Sequence, residues 1–523
     1  MGRVRNVLFV MCDQLRADYL SCMGHSALNT PHIDSLAARG VLFKRAFCSA
    51  PVCGPSRMSF YTGRSMFSHG AIWNFVPLSI REMMIGDHLR PHGITVALAG
   101  KTHYEPDRAA MARLGISPDS EVGRSLITGG FDIVDHYEGH ANPGPQHPYV
   151  HYLKSRGYDD TADPWGDYVM SAIDERGEKV SGWLMRNVHL PARVREEDSE
   201  TAYTTNVAIK FIREQGERPW CLHLSYIKPH WPYLAPAPYH QTYGPEDCSP
   251  IVKNRRELEN PHPVVAAYQK HPESLSFARD EVVARVKPAY MGLVKQLDDH
   301  FGRFMAVLGE LGRMEDTLIV FTADHGDYLG DHWLGDKELF HQPSVQIPFI
   351  VYDPDHAADT TRGRHDDRFV EGVDFLPTAM DALGLPLPNH LFEGRSLLPL
   401  LRSAPASNWR DIAVSEIDYS FREARATLGH DPRRCRGTML FDGRWKFIAW
   451  EGFRPQLFDL RENPDETVDF HDDPSRASII EEFRGRMFDW VRERKMTVTL
   501  PDEKMLISER DILPRYGIKI GIW

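Results

Sequence analysis

The chain is poor in cysteine: there are seven among 523 residues, at positions 12, 22, 48, 53, 221, 248 and 435, with no C-x-x-C pair. That scarcity excludes a disulfide framework and a zinc knuckle. A surplus of positive charge is also missing. Lysine and arginine number 61 against 73 aspartates and glutamates, a net charge of −12. Nucleic acid is thereby an unsuitable partner, because phosphate backbones are held by clustered Lys and Arg. No uninterrupted apolar run is long enough to span a bilayer. The first one, ending at Cys12, is cut by Asp13 and Arg16 and lacks the small-residue cleavage site of a secretory signal. Repeats, low-complexity tracts, a G-x-S-x-G elbow and an H-E-x-x-H pair are absent. These absences predict a cytoplasmic protein with reduced thiols and no membrane contact.

What is present is a substantial core: 42% of residues are hydrophobic and 26% charged, a globular composition. Short β-branched and aromatic runs alternate with helical patterns, which predicts an α/β fold. Asn6–Cys12, Thr95–Ala99, Trp220–Tyr226, Thr317–Thr322 and Gln346–Tyr352 are expected strands, and Thr30-Pro31 to Gly40 brackets a helix. The polar stretch from about 105 to 200 is expected to be insertions and loops covering a site. Past residue 400, Ile412–Ile417, Thr438–Phe441, Trp445–Trp450 and Gln456–Asp459 predict a small antiparallel sheet, followed by a helix over Ala477–Arg494. The expected division is 1–400 for the large domain and 401–496 for the small one. The remainder, 497–523, is expected to be an oligomerisation tail, because Ile512, Leu513, Tyr516, Ile518, Ile520, Ile522 and Trp523 form an apolar group that needs a partner.

Open α/β sheets bind ligands beyond the carboxyl ends of their strands. Four expected strands deliver reactive side chains there: Asp13-Gln14, Lys101 and His103, Lys228 and His230, and Asp324-His325. Gly100-Lys101-Thr102 is not a P-loop, since Thr95 stands where the loop needs its first glycine. His136 and His140 have helical spacing within Gly- and Pro-rich surroundings and are expected at the surface. Cys53 precedes a helix with Pro55 in its first turn and Gly63 at its end. Free amides and the dipole there are expected to acidify a thiol and to welcome an oxyanion. Arg57 is expected to aim at the same spot.

Cys53-Gly-Pro-Ser-Arg57 with Thr62-Gly63-Arg64 resembles the C-x-P-S-R signature of type I sulfatases, members of the alkaline phosphatase superfamily. Gly100-Lys-Thr-His103 is similar to their G-K-x-H, Lys228-Pro-His-Trp-Pro232 to K-P-H-x-P, and Asp324-His-Gly-Asp through Lys337 to their metal and lysine segment. Asp13-Gln14, Asp324-His325 and Trp73-Asn74 resemble the branch that holds choline sulfatases and phosphonate monoester hydrolases. Retention of both Lys101 and His103 favours sulfate over phosphonate.

The resemblance implies an alkaline-phosphatase-like large mixed sheet flanked by helices. It also implies conversion of Cys53 to formylglycine by a formylglycine-generating enzyme, the hydrate serving as nucleophile. Asp13, Gln14, Asp324, His325 and the modified Cys53 would hold a divalent ion. An oxygen-rich set with one nitrogen suits Ca²⁺, Mn²⁺ or Mg²⁺. Arg57 would orient the nucleophile, and Lys101, His230, Lys337 and Asn74 would bind the anion. His230 or Lys337 would protonate the leaving oxygen, and His103 would be the base that releases sulfate. The implied activity is hydrolysis of an aryl or alkyl sulfate monoester by a homodimer or homotetramer, with phosphonate monoester or phosphodiester hydrolysis as the alternative.

Overall fold

Asn6–Cys12 (β1) is apolar on both faces and buried along its whole length, as a central strand of a mostly parallel sheet must be. The computed structural model, which describes residues 4–406, 408–494, 498–501 and 504, sets it in an eight-stranded sheet. The other strands are β2 (Val41–Phe47), β3 (Thr95–Gly100), β4 (Asp132–His136), β7 (Trp220–Tyr226), β8 (Thr317–Ala323), β9 (Phe349–Tyr352) and β10 (Arg364–Glu371), with a two-stranded ribbon of β5 (Ser171–Ile173) and β6 (Lys179–Ser181) outside it. The order is β10-β2-β9-β8-β1-β7-β3-β4, and only β9 runs antiparallel to its neighbours. This is the large mixed sheet expected. β9 starts at Phe349 rather than Gln346, because Pro348 has no N–H to give a ladder.

Strand register sets the floor of the site. Cys12 lies opposite both Tyr226 and Ala323, and Gly100 opposite Ser225, so the four central strands end level with one another. Gly100 has φ +110°, and a Cβ there would sit 1.9 Å from the Ser225 carbonyl oxygen. Only glycine turns the chain so close to its neighbour. The long helix Asp280–Glu310 packs Tyr290, Leu293, Leu297, Phe301 and Phe304 into the main core. Its Tyr290 hydroxyl donates to the Gln14 carbonyl (2.7 Å) and accepts from the Arg16 N–H (2.9 Å). That clamp secures Gln14 at its positive φ of 64°.

Two regions depart from expectation. Residues 105–200 are not merely loops: they contain β4, the β5–β6 ribbon, several short helices and a core of their own around Tyr137, Tyr149, Leu153 and Trp165. The strands β2, β4 and β10 complete the sheet from segments with no continuous apolar run. The C-terminal sheet, β11 (Ala413–Asp418), β12 (Arg436–Phe441), β13 (Trp445–Trp450) and β14 (Gln456–Asp459), is a simple antiparallel meander. The helix Ala477–Glu493 covers it through Ile480 and Phe483. The expected tail, 497–523, lies outside the described residues except for 498–501 and 504. No helix among the described residues is long and apolar enough to cross a membrane.

Candidate active site

The helix Cys53–Thr62 is buried at every position and ends at Gly63 in the left-handed region. Cys53 is its first residue, and its Sγ lies 3.1 Å from His325 Nε2, 3.7 Å from Asp13 Oδ1 and 4.0 Å from Lys101 Nζ. Two expectations are corrected here. The thiol is not acidified: burial, with Asp13 adding to it, pushes it up to about 12 and outweighs Lys101 and Lys337. Nor is the first-turn amide free, since the Gly54 N–H donates to Asn74 Oδ1 at 2.7 Å.

Arg57, wholly buried, ties the two central carboxylates together. Its Nε donates to Asp324 Oδ2 (2.8 Å) and its NH2 to Asp13 Oδ2 (3.2 Å), while NH1 reaches the Lys101 carbonyl (2.9 Å) and Ser225 Oγ (2.8 Å). Arg57 thus braces the two carboxylates instead of pointing at Cys53. Asp324 Oδ1 accepts from the Gln14 and His325 backbone N–H groups, each at 3.0 Å. Lys101 Nζ pairs with Asp13 Oδ2 at 2.5 Å. Burial pushes the Asp13 carboxyl up, but Lys101, Arg57 and Lys337 together hold it well below the usual range.

Lys337 donates to Gln14 Oε1 (3.0 Å) and His230 Nε2 (3.2 Å). Burial would lower its pKa, yet Asp336 and the neighbouring anions raise it, so it stays an ammonium. Gln14 Nε2 in turn donates to Asp327 (2.7 Å) and Asp336 (3.0 Å). His230 is kept neutral by burial and by Lys337. His103 stands one step back. Its Nε2 meets His140 Nε2 at 2.9 Å, and its ring stacks edge-on to Phe75 at 5.1 Å. Its Nδ1 is buried with no partner among the described residues. Leaving such a group unmatched costs on the order of 1–3 kcal/mol.

His140 is therefore not a surface residue; its Nδ1 lies 3.5 Å from Lys101 Nζ and its ring against His230 and Trp231. The same strand-end rule that found the others applies to it, since β4 ends at His136 and Glu138 and His140 follow. His136, by contrast, is 41% exposed and bonds Glu138 at 2.7 Å.

Ligand atoms of Asp13, Cys53, Asp324 and His325 all lie within 4.8 Å of one another. His325 Nδ1 faces the Gly326 carbonyl at 2.9 Å, so the proton sits on that nitrogen and Nε2 turns a lone pair to the cluster. This is how a metal-ligating imidazole is oriented, and the donor set fits a metal ion. A second trio, His103, Glu138 and His140, is also close-packed, but the Lys101 ammonium beside it disfavours another cation.

Four parallel strand ends carrying a metal-donor set, ringed by two ammonium groups and three imidazoles, define a hydrolase site for a tetrahedral anion. Residues 5–385 match the Sulfatase family, and 330–493 match the C-terminal region of N-sulphoglucosamine sulphohydrolase; the chain belongs to the sulfatase family. It is 30% identical to the multifunctional alkaline phosphatase superfamily protein PehA of Trinickia caryophylli, over 93% of this chain and 95% of that one. Identity to an arylsulfatase of Clostridium perfringens is 27%, over 92% and 95%. The crystal structure of the phosphonate monoester hydrolase of Agrobacterium radiobacter superposes with a TM-score of 0.82 at 27% identity, over 94% of this chain and 96% of that one.

Proposed function

We propose that this enzyme hydrolyses sulfate monoesters, aryl or alkyl, with Cys53 converted to formylglycine as the nucleophile. The observation that carries the reading is the surplus of cationic and proton-carrying groups at one centre: Lys101, His103, His230 and Lys337 around Cys53. Loose sulfuryl transfer develops charge on the leaving oxygen and needs positioned donors there.

Asp13, Asp324, His325, the position-53 side chain and the Gln14 amide oxygen would hold a divalent ion, Ca²⁺, Mn²⁺ or Mg²⁺. When bound, it supplies Lewis acidity toward the anion and the nucleophile. Arg57 keeps Asp13 and Asp324 in place for that ion. Asn74 accepts from Gly54 and keeps its own N–H₂ for a substrate oxygen. Lys101 and Lys337 clamp the anion from two sides. Lys337, held by its bonds to Gln14 Oε1 and His230 Nε2, keeps a third N–H for the departing alcohol. Residues 1–400 carry this chemistry, with 401–496 as the small domain beside them, whose Phe421 stacks on Trp73 and whose Arg422 pairs with Glu338. A formylglycine-generating enzyme, a reducing cytoplasm and a homo-oligomer built through 497–523 complete the proposal. Seven unpaired cysteines support the compartment.

The phosphonate monoester or phosphodiester reading is favoured by one observation, the TM-score of 0.82 to a phosphonate monoester hydrolase. The deciding measurement is kcat/KM for a sulfate and a phosphonate monoester on wild type, Lys101→Ala and His103→Ala. Wild type should prefer the sulfate, and both variants should lose more on it, each by about 10²-fold or more. A wild-type preference for phosphonate, or equal losses on both substrates, would transfer the assignment to the second reading.

A further inference from the structure

The hydrogen bonds around His140 can be followed proton by proton. A lysine ammonium carries only donors, and Lys101 Nζ lies 3.5 Å from His140 Nδ1, so that nitrogen presents its lone pair. Burial and Lys101 push the His140 pKa down to about 3. The ring is therefore uncharged and its single proton is on Nε2. Nε2 sits 2.9 Å from His103 Nε2, a hydrogen bond only if the His103 nitrogen is the acceptor. His103 is uncharged for the same two reasons, burial first and Lys101 second. No other group among the described residues takes up its Nε2: the nearest Glu138 oxygen is 4.0 Å away, and that carboxylate accepts from the His103 and Thr102 backbone N–H groups and from His136. The proton that remains to His103 is on Nδ1, the buried atom that lacks a partner.

We propose that His140 is a positioning residue that fixes His103 as its Nδ1–H tautomer, so that His103 meets the bound anion as a hydrogen-bond donor. The proposal rests on the reading that His103 faces substrate in the hydrolytic site, and it revises the expectation that His103 enters the cycle as a base. The relay Lys101, His140, His103 ends on an open donor, and an oxygen of the tetrahedral anion or of its leaving group is the acceptor that fits. Three side chains and their donor inventories suffice for this polarity.

Nitrogen-15 NMR of the histidine-labelled full-length protein tests it directly, with His103→Asn and His140→Phe assigning the two rings. Wild type should show His103 protonated on Nδ1 and bare on Nε2, with His140 the reverse. In His140→Phe, which keeps ring packing against His230 and Trp231, the His103 pattern should move toward Nε2–H. A His103 Nε2–H in wild type, or no change in His140→Phe, overturns the proposal. This readout needs no turnover, so it stands or falls apart from the hydrolase reading. In kinetics on an aryl sulfate, His140→Gln offers an oxygen to Lys101 and an N–H to His103 and should keep kcat within about 3-fold. His140→Phe should lose about 10- to 100-fold in kcat with KM within about 2-fold. A loss in His140→Gln as large as that in His140→Phe would mean that the hydrogen bonds offered by Gln do not matter, and a larger one that ring packing does; either would also overturn it.

Discussion

Two clusters of charge can be set side by side. One is the site around Cys53. The other lies where the large sheet meets the small one, among Glu371, Asp374, Glu393, Arg410, Glu416 and Arg494. In the second, the circuits close on themselves. Arg410 NH2 donates to Asp374 Oδ1 at 2.7 Å, and Asp374 also accepts from the Glu371 and Arg395 backbone N–H groups. Glu371 accepts from Val414 at 2.8 Å, Glu416 from Phe67 at 3.0 Å and Glu393 from Ser65 at 2.8 Å. In the first, Arg57 closes its own contacts just as fully, yet His103 Nδ1 stays open and Lys101 and Lys337 crowd toward Cys53. Closed charge is structural, and open charge awaits a ligand. The stability of a charge pair and the readiness of a site are separate properties.

The strongest way to break this contrast is to remove one group from each cluster. Cys53→Ala should abolish turnover while leaving the unfolding midpoint and metal content nearly unchanged, as read by assay, thermal melt and metal analysis. Near-wild-type activity would end the nucleophile assignment. Arg410→Gln should do the opposite. It strands Asp374 and Glu371 beneath the small sheet and should lower unfolding free energy by about 3–5 kcal/mol in denaturant titration, with kcat of the folded enzyme kept. A loss of kcat matching the loss of stability would show that the clusters are one unit.

The smallest effect is in pH dependence. Burial, with Glu393 and Glu371 adding to it, pushes the Glu416 carboxyl up to about 8. Its unfolded value is about 4.3, so the fold favours the protonated form. That contribution is whole below about pH 4.3, fades as the unfolded chain ionises, and is gone above about pH 8. Thermal melts of wild type should fall between pH 6 and 8.5 relative to Glu416→Gln, a difference of about 2–3 kcal/mol. Parallel curves for the two proteins would show that Glu416 is not the group that titrates.

Much of the molecule was legible because period and burial agree. The strands β1 and β8 are nearly continuous apolar runs, β7 is broken only by His223 and Ser225, and β13 and β14 are short runs bounded by clear turns, so their spans could be read nearly residue by residue. Then the strand-end rule alone collected Asp13, Lys101, His230 and Asp324. It missed His140 because β4 is an edge strand, DIVDH, with four of its five residues exposed, and an edge facing water needs no apolar run. β10, RHDDRFVE, was silent for the same reason. Lys337 and Asn74 came from the family resemblance only. Lys337 sits between Asp336 and Glu338, both at positive φ, in a loop whose shape is set by tertiary contacts and has no period to read. The thiol pKa went wrong because a helix terminus is a local feature, whereas desolvation and Asp13 are properties of the finished fold.

The brace that Arg57 makes between Asp13 and Asp324 also fixes an order of events during synthesis. Asp13, Cys53 and Arg57 leave the ribosome early, while Asp324 and Lys337 come only after more than half the chain has been made. Until β8 has been made and laid beside β1, the guanidinium has only one of its two carboxylates, and the helix that starts at Cys53 lacks the bonds that Ser56 and Arg57 make to Asp324. Cys53 is fully shielded in the finished molecule. An enzyme that modified it would need a chain in which this packing is still incomplete, as it is before β8 is in place.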